Sequence, residues 1–156
     1  MNWNAIGAMA EALGALAVLA SLIYLAAQIR QNTQMMKSSI RQQLTTSAQN
    51  VVFKMMDNAE TLAKLQERET LTPGEQVRMR LLLRAGFRVF EDAAYQYYHG
   101  LLDASEWSAR LASMRTSLAI PTAREQWLAT RNEYSENLQR TLDPLASADA
   151  PEAPDL

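Results

Sequence analysis

The chain has 156 residues, of which 48% are hydrophobic and 21% charged, and its formal net charge is −2. This balance excludes a disordered polymer and does not indicate a nucleic-acid partner. No cysteine is present, so disulfides and thiolate chemistry are excluded. Helix-forming Ala, Leu, Met, Gln, Arg and Glu dominate and runs rich in β-branched residues are almost absent, which predicts an all-α fold.

The first predicted element is a long apolar helix. Residues Ile6 to Ile29 are mostly apolar or small, and as a helix they would measure about 36 Å, against about 30 Å for the hydrocarbon core of a bilayer. Ala12–Ala27 carries no charge, and Trp3 and Tyr24 lie near the two ends, where interfacial aromatic residues are favoured. The pattern predicts a membrane span, with a buried helix of a soluble bundle as the alternative.

The charges that flank this helix predict its orientation. No Lys or Arg precedes it, which argues against a cleaved signal peptide, whereas Arg30, Lys37 and Arg41 follow it. The positive-inside rule places the N-terminus outside and the bulk of the chain in the cytoplasm.

One face of the predicted span consists of small residues at spacings of three and four. Such a face lets two spanning helices approach closely. Glu11 lies at its edge, about 60° from Gly14 around the helix axis. It would then face a partner helix. Alternatively, Ala and Gly merely fill the helix, and Glu11 is a carboxylate that reaches toward water from about 5 Å inside the hydrocarbon edge. The predicted helix–helix interface comprises Gly7, Ala10, Glu11, Gly14, Ala17 and Ser21.

The segment after Gln31 is amphipathic and contains no Gly or Pro as far as Ala59, so the first helix is predicted to continue without a break. A short helix capped by Asn58 follows. Thr72, Pro73 and Glu75 then form the pattern of a capping box at a helix start. His99-Gly100 is predicted to end that helix, with glycine just beyond the last helical residue.

Two more helices are predicted. Asp103 with Glu106 opens the first, which Pro121 breaks, and Thr122 with Glu125 opens a last helix that ends at Asp143-Pro144. The organisation is therefore a transmembrane anchor over 1–30, a small helical bundle over 31–142 and a disordered acidic tail over 143–156. The predicted core comprises Leu83, Phe87, Phe90, Trp107, Leu111, Trp127, Tyr134 and Leu138.

The opening segment resembles an uncharacterised family of small bacterial single-span proteins that begin with a stretch like NW-AIGA-AE-LGA-AV-ASLIYLA-QIRQNT. A Y--GLLD---W segment and a later P--RE-W segment extend the resemblance over nearly the full length. The resemblance implies a single-span helical protein of a bacterial inner membrane and no particular activity. The matching later residues are Tyr97, Gly100, Leu101, Leu102, Asp103, Trp107, Pro121, Arg124, Glu125 and Trp127.

No pattern in the chain is typical of catalysis. His99 is the single histidine, no Glu lies three residues before it, and the glycines form no phosphate loop. We therefore expect no enzyme activity, no metal and no cofactor. Arg80, Arg84 and Arg88 share a helical face, which is either a solvated surface or a contact for anionic lipid or an acidic partner.

Two functions fit these features. The first is a membrane-anchored interaction or accessory-subunit protein, which self-associates or docks on another membrane protein through its small-residue face. The alternative is an oligomeric pore or transport element in which Glu11, Ser21 and Gln28 face the lumen. Membrane lipid and a second subunit are the predicted partners, and no nucleic acid is expected.

Overall fold

The computed structural model describes residues 2–66 and 69–147. Most of these are helical, and no strand occurs among them. The all-α fold class is thereby confirmed. The described residues form six α-helices, with a single 3₁₀ turn, Arg131–Glu133, between the last two. Their bounds are α1 Trp3–Met56, α2 Ala59–Gln66, α3 Pro73–Tyr98, α4 Ala104–Ala119, α5 Pro121–Thr130 and α6 Glu136–Ala146.

The chain divides into two units, Met1–Ser39 and Ile40–Leu156. In the first unit, α1 runs without interruption, as its lack of Gly and Pro after the apolar segment predicts. In the second unit, Ile40 and Leu44 of α1 are the first side chains that pack into the core. The packed core therefore begins at this point of the chain.

Aromatic side chains from α3, α4 and α5 form the centre of the second unit. The ring of Phe87 lies 5.3 Å from that of Trp127, and Phe90 lies 5.1 Å from Trp107, distances at which aromatic pairs attract each other. Of the eight predicted core residues, six are buried, and Leu83 and Leu111 are half-buried against the core. Other fully packed side chains include Leu118 and Leu142.

Helix α3 begins and ends as predicted. The Thr72 N–H donates to the Glu75 carboxylate at 2.8 Å, and the Glu75 N–H donates to Thr72 Oγ1 at 3.3 Å, so the capping box is complete. At the other end Gly100 has a φ of 71°, a left-handed conformation that suits glycine. The Leu101 N–H donates to the Gln96 carbonyl at 2.9 Å, which completes a Schellman motif.

One predicted cap does not form. Asp103 occupies the N-cap position of α4, but its side chain makes no capping hydrogen bond, and the Glu106 carboxylate instead pairs with Arg41 at 2.7 Å. A contact with another helix thus replaces the local cap. Asn58 also has a contact that the sequence did not predict, because its side-chain amide donates to the Lys54 carbonyl at 2.8 Å at the end of α1.

The single last helix predicted from Thr122 to Asp143-Pro144 is wrong in three respects. Its first residue is Pro121, because the fixed φ of proline suits the first helical position, and Ile120 is the N-cap. The chain leaves the helix at Arg131–Glu133 and starts α6 after Ser135. Finally, Pro144 lies inside α6.

Helix α6 continues to Ala146 because its final turn is buried. Leu142 and Ala146 both pack in the core, and that packing offsets the hydrogen bond that Pro144 cannot donate. The bundle therefore extends beyond the predicted limit of residue 142. The rest of the predicted disordered tail, residues 148–156, lies outside the described residues.

Candidate functional site

The apolar segment of α1 is uncovered on every side. Each described side chain from Asn2 to Met36 is exposed, including Leu13 at 65% and Ile23 at 71%. The helix is long and apolar enough to cross a membrane. In a soluble protein, a contiguous apolar surface of this extent would face water at a large cost in free energy. The exposure therefore argues against the alternative of a buried core helix.

The small residues of the predicted interface lie on this uncovered segment. No atom outside the local helix lies within 4 Å of the position that a Cβ would take at Gly7 or Gly14. The surface beside each of these glycines is thus open to a neighbouring helix. The Ser21 hydroxyl donates to the Ala17 carbonyl at 2.8 Å, so its proton is used within the helix, while its oxygen can still accept a hydrogen bond.

The three arginines of α3 have different surroundings. Arg84 forms an ion pair with Glu133, and Arg88 pairs with Glu91 at 2.6 Å. The pairing of Arg88 with Glu91 is the one that their spacing along the helix predicts. Arg80 forms no ion pair with any residue that the structure describes.

Arg88 and Glu91 hold the 3₁₀ turn between α5 and α6. Arg88 donates to the Glu133 carbonyl at 3.1 Å and lies 4.4 Å from the centre of the Tyr134 ring. Glu91 accepts the Ser135 N–H at 2.7 Å. Burial raises the pKa of Glu91, but the hydrogen bonds from Ser135 and Arg88 outweigh burial and lower this pKa overall. Arg88 and Glu91 therefore have a structural role within the bundle.

Among the described residues, no group of three or more His, Asp or Glu side chains is placed to hold a metal ion. His99 is the C-cap residue of α3, and its ring lies 4.2 Å from that of Tyr95. This position matches the predicted role of His99 at a helix end.

Sequence reasoning missed a groove between α1 and α3 within the second unit. Its volume is about 710 Å³, in the range of ligand-binding clefts. Helix α1 contributes Ser47, Asn50, Val51 and Lys54, the turn after it contributes Asp57 and Asn58, and α3 contributes Arg78, Leu81, Leu82, Ala85 and Val89. A pattern in the sequence does predict half of this groove, because Val77, Leu81, Ala85 and Val89 recur at every fourth residue and form an apolar row along α3.

Comparisons of the chain with family models, with curated proteins and with solved structures gave no match. The functional argument therefore rests on the uncovered apolar helix, the small-residue face and the groove.

Proposed function

We propose that the protein is a membrane-anchored helical interaction protein, whose small-residue face docks against the spanning helix of a second copy or of another membrane protein. The observation that carries the proposal is the complete exposure of the apolar part of α1. A bilayer would cover this surface, and burial there of about 20 apolar residues anchors a helix stably. The second unit would then lie in the cytoplasm of a bacterium, as the basic residues after the span favour.

The small-residue face gives the span a means of docking. Within a bilayer, the hydrophobic effect does not drive helices together, so close packing must do so. Gly7, Ala10, Gly14, Ala17 and Ser21 allow two backbones to approach, and Gly7 and Gly14 have no neighbour that a second helix would displace. Glu11 lies beside this face, where copies of its carboxylate would meet in a symmetric assembly and repel each other.

Disulfide crosslinking in native membranes tests the docking face. The chain has no cysteine, so Gln28→Cys supplies a single thiol for crosslinking. Gln28 lies seven residues after Ser21 and therefore on the same side of the helix as the small-residue face. We expect Gly14→Leu to abolish crosslinking between copies, because a bulky side chain separates the backbones. Leu13→Ile, which changes a different face, is the matched control and should leave the yield unchanged. Glu11→Gln should keep or raise the yield, since it removes repulsion and retains hydrogen bonding.

Equal crosslinking of Gly14→Leu and the parent would show that the small residues are only filler, and Glu11 would then be a carboxylate that reaches toward water. Native mass spectrometry of the detergent-extracted protein identifies the partner. Two copies indicate self-association, and one copy with a foreign chain indicates an accessory subunit. A closed ring of many copies would favour the pore that the polar residues of the span also permit.

A further inference from the structure

We infer that the groove between α1 and α3 binds a single-chain amphiphile with an anionic head, such as a long-chain carboxylate. The inference concerns the second unit alone and does not depend on how the span docks. The groove is apolar along α3 and mostly polar along α1, and its charged residues are Lys54, Asp57 and Arg78.

The apolar residues of the groove suit a hydrocarbon chain. Leu81, Ala85 and Val89 form consecutive turns of α3, and Leu82 and Val51 add apolar surface from the two helices. Leu81 is 60% exposed although it lies in a bundle with a well-packed core. The free energy gained rises with the length of hydrocarbon that leaves water, so a chain placed along this row would be held without any polar contact.

The charged residues suit an anionic head. Arg78 begins the α3 wall, and it makes no ion pair or hydrogen bond with any residue that the structure describes. At the end of the α1 wall, Lys54 is paired with Asp57 at 3.2 Å, and the Asn58 amide is occupied by the Lys54 carbonyl. The groove thus holds two cations and one anion, and Arg78 is the cation whose fork of donors remains available for a carboxylate.

Photolabelling tests the inference. The full chain is placed in phosphatidylcholine nanodiscs and exposed to a palmitate analogue with a diazirine in its chain, and the labelled residues are mapped by mass spectrometry. Label on Leu81, Ala85, Val89 and Val51, saturating with probe concentration and displaced by unlabelled palmitate, is the expected result. Label on residues 6–29 from probe dissolved in the bilayer serves as an internal reference and should not saturate.

Two variants and a second probe test the contact with the head group and the space for the hydrocarbon chain separately. Arg78→Gln should raise the probe concentration for half-maximal groove labelling by about tenfold, the usual effect of losing a charge-assisted hydrogen bond. Ala85→Trp should abolish groove labelling, because the indole would fill the space between the walls. Arg115→Gln is the control, since Arg115 is an exposed arginine outside the groove that has no ion pair with the described residues. The methyl ester of the probe lacks the carboxylate, so it should bind the parent protein as weakly as the acid binds Arg78→Gln.

Three results would overturn the inference. Label confined to residues 6–29 would show that the groove takes no amphiphile. Equal groove labelling by the acid and its ester, unchanged in Arg78→Gln, would show that no head group is recognised. Protection of the groove from label, together with efficient disulfide formation between two copies of Leu81→Cys, would show that a second copy covers it.

Discussion

The indole Nε1 of Trp127 donates a hydrogen bond of 3.1 Å to the Oδ1 atom of Asp143, which joins α5 to the last turns of α6. Trp127 is fully buried, and the other carboxylate oxygen of Asp143 pairs with Arg131 at 3.2 Å. One acidic side chain therefore ties α6 both to α5 and to the 3₁₀ turn between them. This contact lies just before Pro144, where the sequence predicts that the helix ends.

Loss of the Trp127 side chain should destabilise the bundle strongly. We expect Trp127→Ala to lower the free energy of unfolding by about 3 to 5 kcal/mol, because it leaves a cavity among Phe87, Tyr134 and the buried leucines. Trp127→Phe keeps most of the ring but removes the hydrogen bond to Asp143, so a smaller loss of about 1 to 3 kcal/mol is expected. Urea unfolding of the full chain in nanodiscs, followed by circular dichroism, measures both.

The matched control for this series is Leu128→Ala, which changes the next residue of the same helix. Leu128 is 51% exposed, so its truncation should change the stability by no more than about 0.5 kcal/mol. A loss below about 1 kcal/mol in Trp127→Ala would contradict the packing described above.

The stability of the bundle should fall in acid through Glu75. Hydrogen bonds from Lys64 and Thr72 lower the pKa of this carboxyl from its ordinary value of 4.5 to about 2. Because the unfolded chain binds the proton more tightly, the contribution of Glu75 is fully present above pH 4.5 and is lost as the pH falls toward 2. The difference in unfolding free energy between the parent and Glu75→Gln should shrink over that range.

A second variant, Lys64→Met, tests the effect of Lys64 on the pKa of Glu75. Lys64 is the strongest cause of the lowered pKa of Glu75, so its removal should move the acid-sensitive range upward in pH. The opposite result would be a stability difference between the parent and Glu75→Gln that stays constant from pH 6 to pH 2. It would show that ionisation of Glu75 contributes nothing to stability through the capping box or the Lys64 pair.

Any side chain at position 100 should lower the stability of the bundle. Its φ of 71° is a conformation in which a Cβ crowds the backbone, so Gly100→Ala should cost about 1 kcal/mol. Gly86→Ala is the opposite case, because Gly86 lies inside α3 with nothing within 4 Å of the added methyl group. It should stabilise the bundle by about 0.4 to 1 kcal/mol. Equal effects of the two substitutions would contradict the left-handed end of α3.

The topology of the chain can be tested with single cysteines, because the parent has none. Asn2→Cys and Ser147→Cys should react oppositely with an impermeant thiol reagent added to intact cells, with only Asn2→Cys labelled. Both positions are exposed, so a failure to label reports the membrane rather than burial. Labelling of Ser147→Cys alone would reverse the proposed orientation, and labelling of neither until lysis would place both ends inside.

The sequence alone was sufficient for features that depend on neighbouring residues. The all-α class and the unbroken first helix follow from propensity and from the absence of Gly and Pro. The start and end of α3 follow from Thr72–Glu75 and Gly100, because capping contacts join residues only a few positions apart. Most of the predicted core follows from helical periodicity, since the buried face of a helix repeats every three to four residues.

Contacts between distant residues decided the rest, and only the tertiary structure shows them. Arg41 takes the carboxylate that would complete the cap at Asp103, and Arg88 and Glu91 hold the turn that divides the predicted last helix. Burial of Leu142 and Ala146 carries α6 past a proline that would end an isolated helix. The groove belongs to this class as well, because an apolar row on α3 becomes a site only where α1 supplies the opposite wall. Apart from proline, helix propensities differ by no more than about 1 kcal/mol per residue, whereas burial of a large apolar side chain contributes about 1.5 to 3 kcal/mol. Proline costs about 3 kcal/mol inside a helix, which burial of more than one side chain can offset.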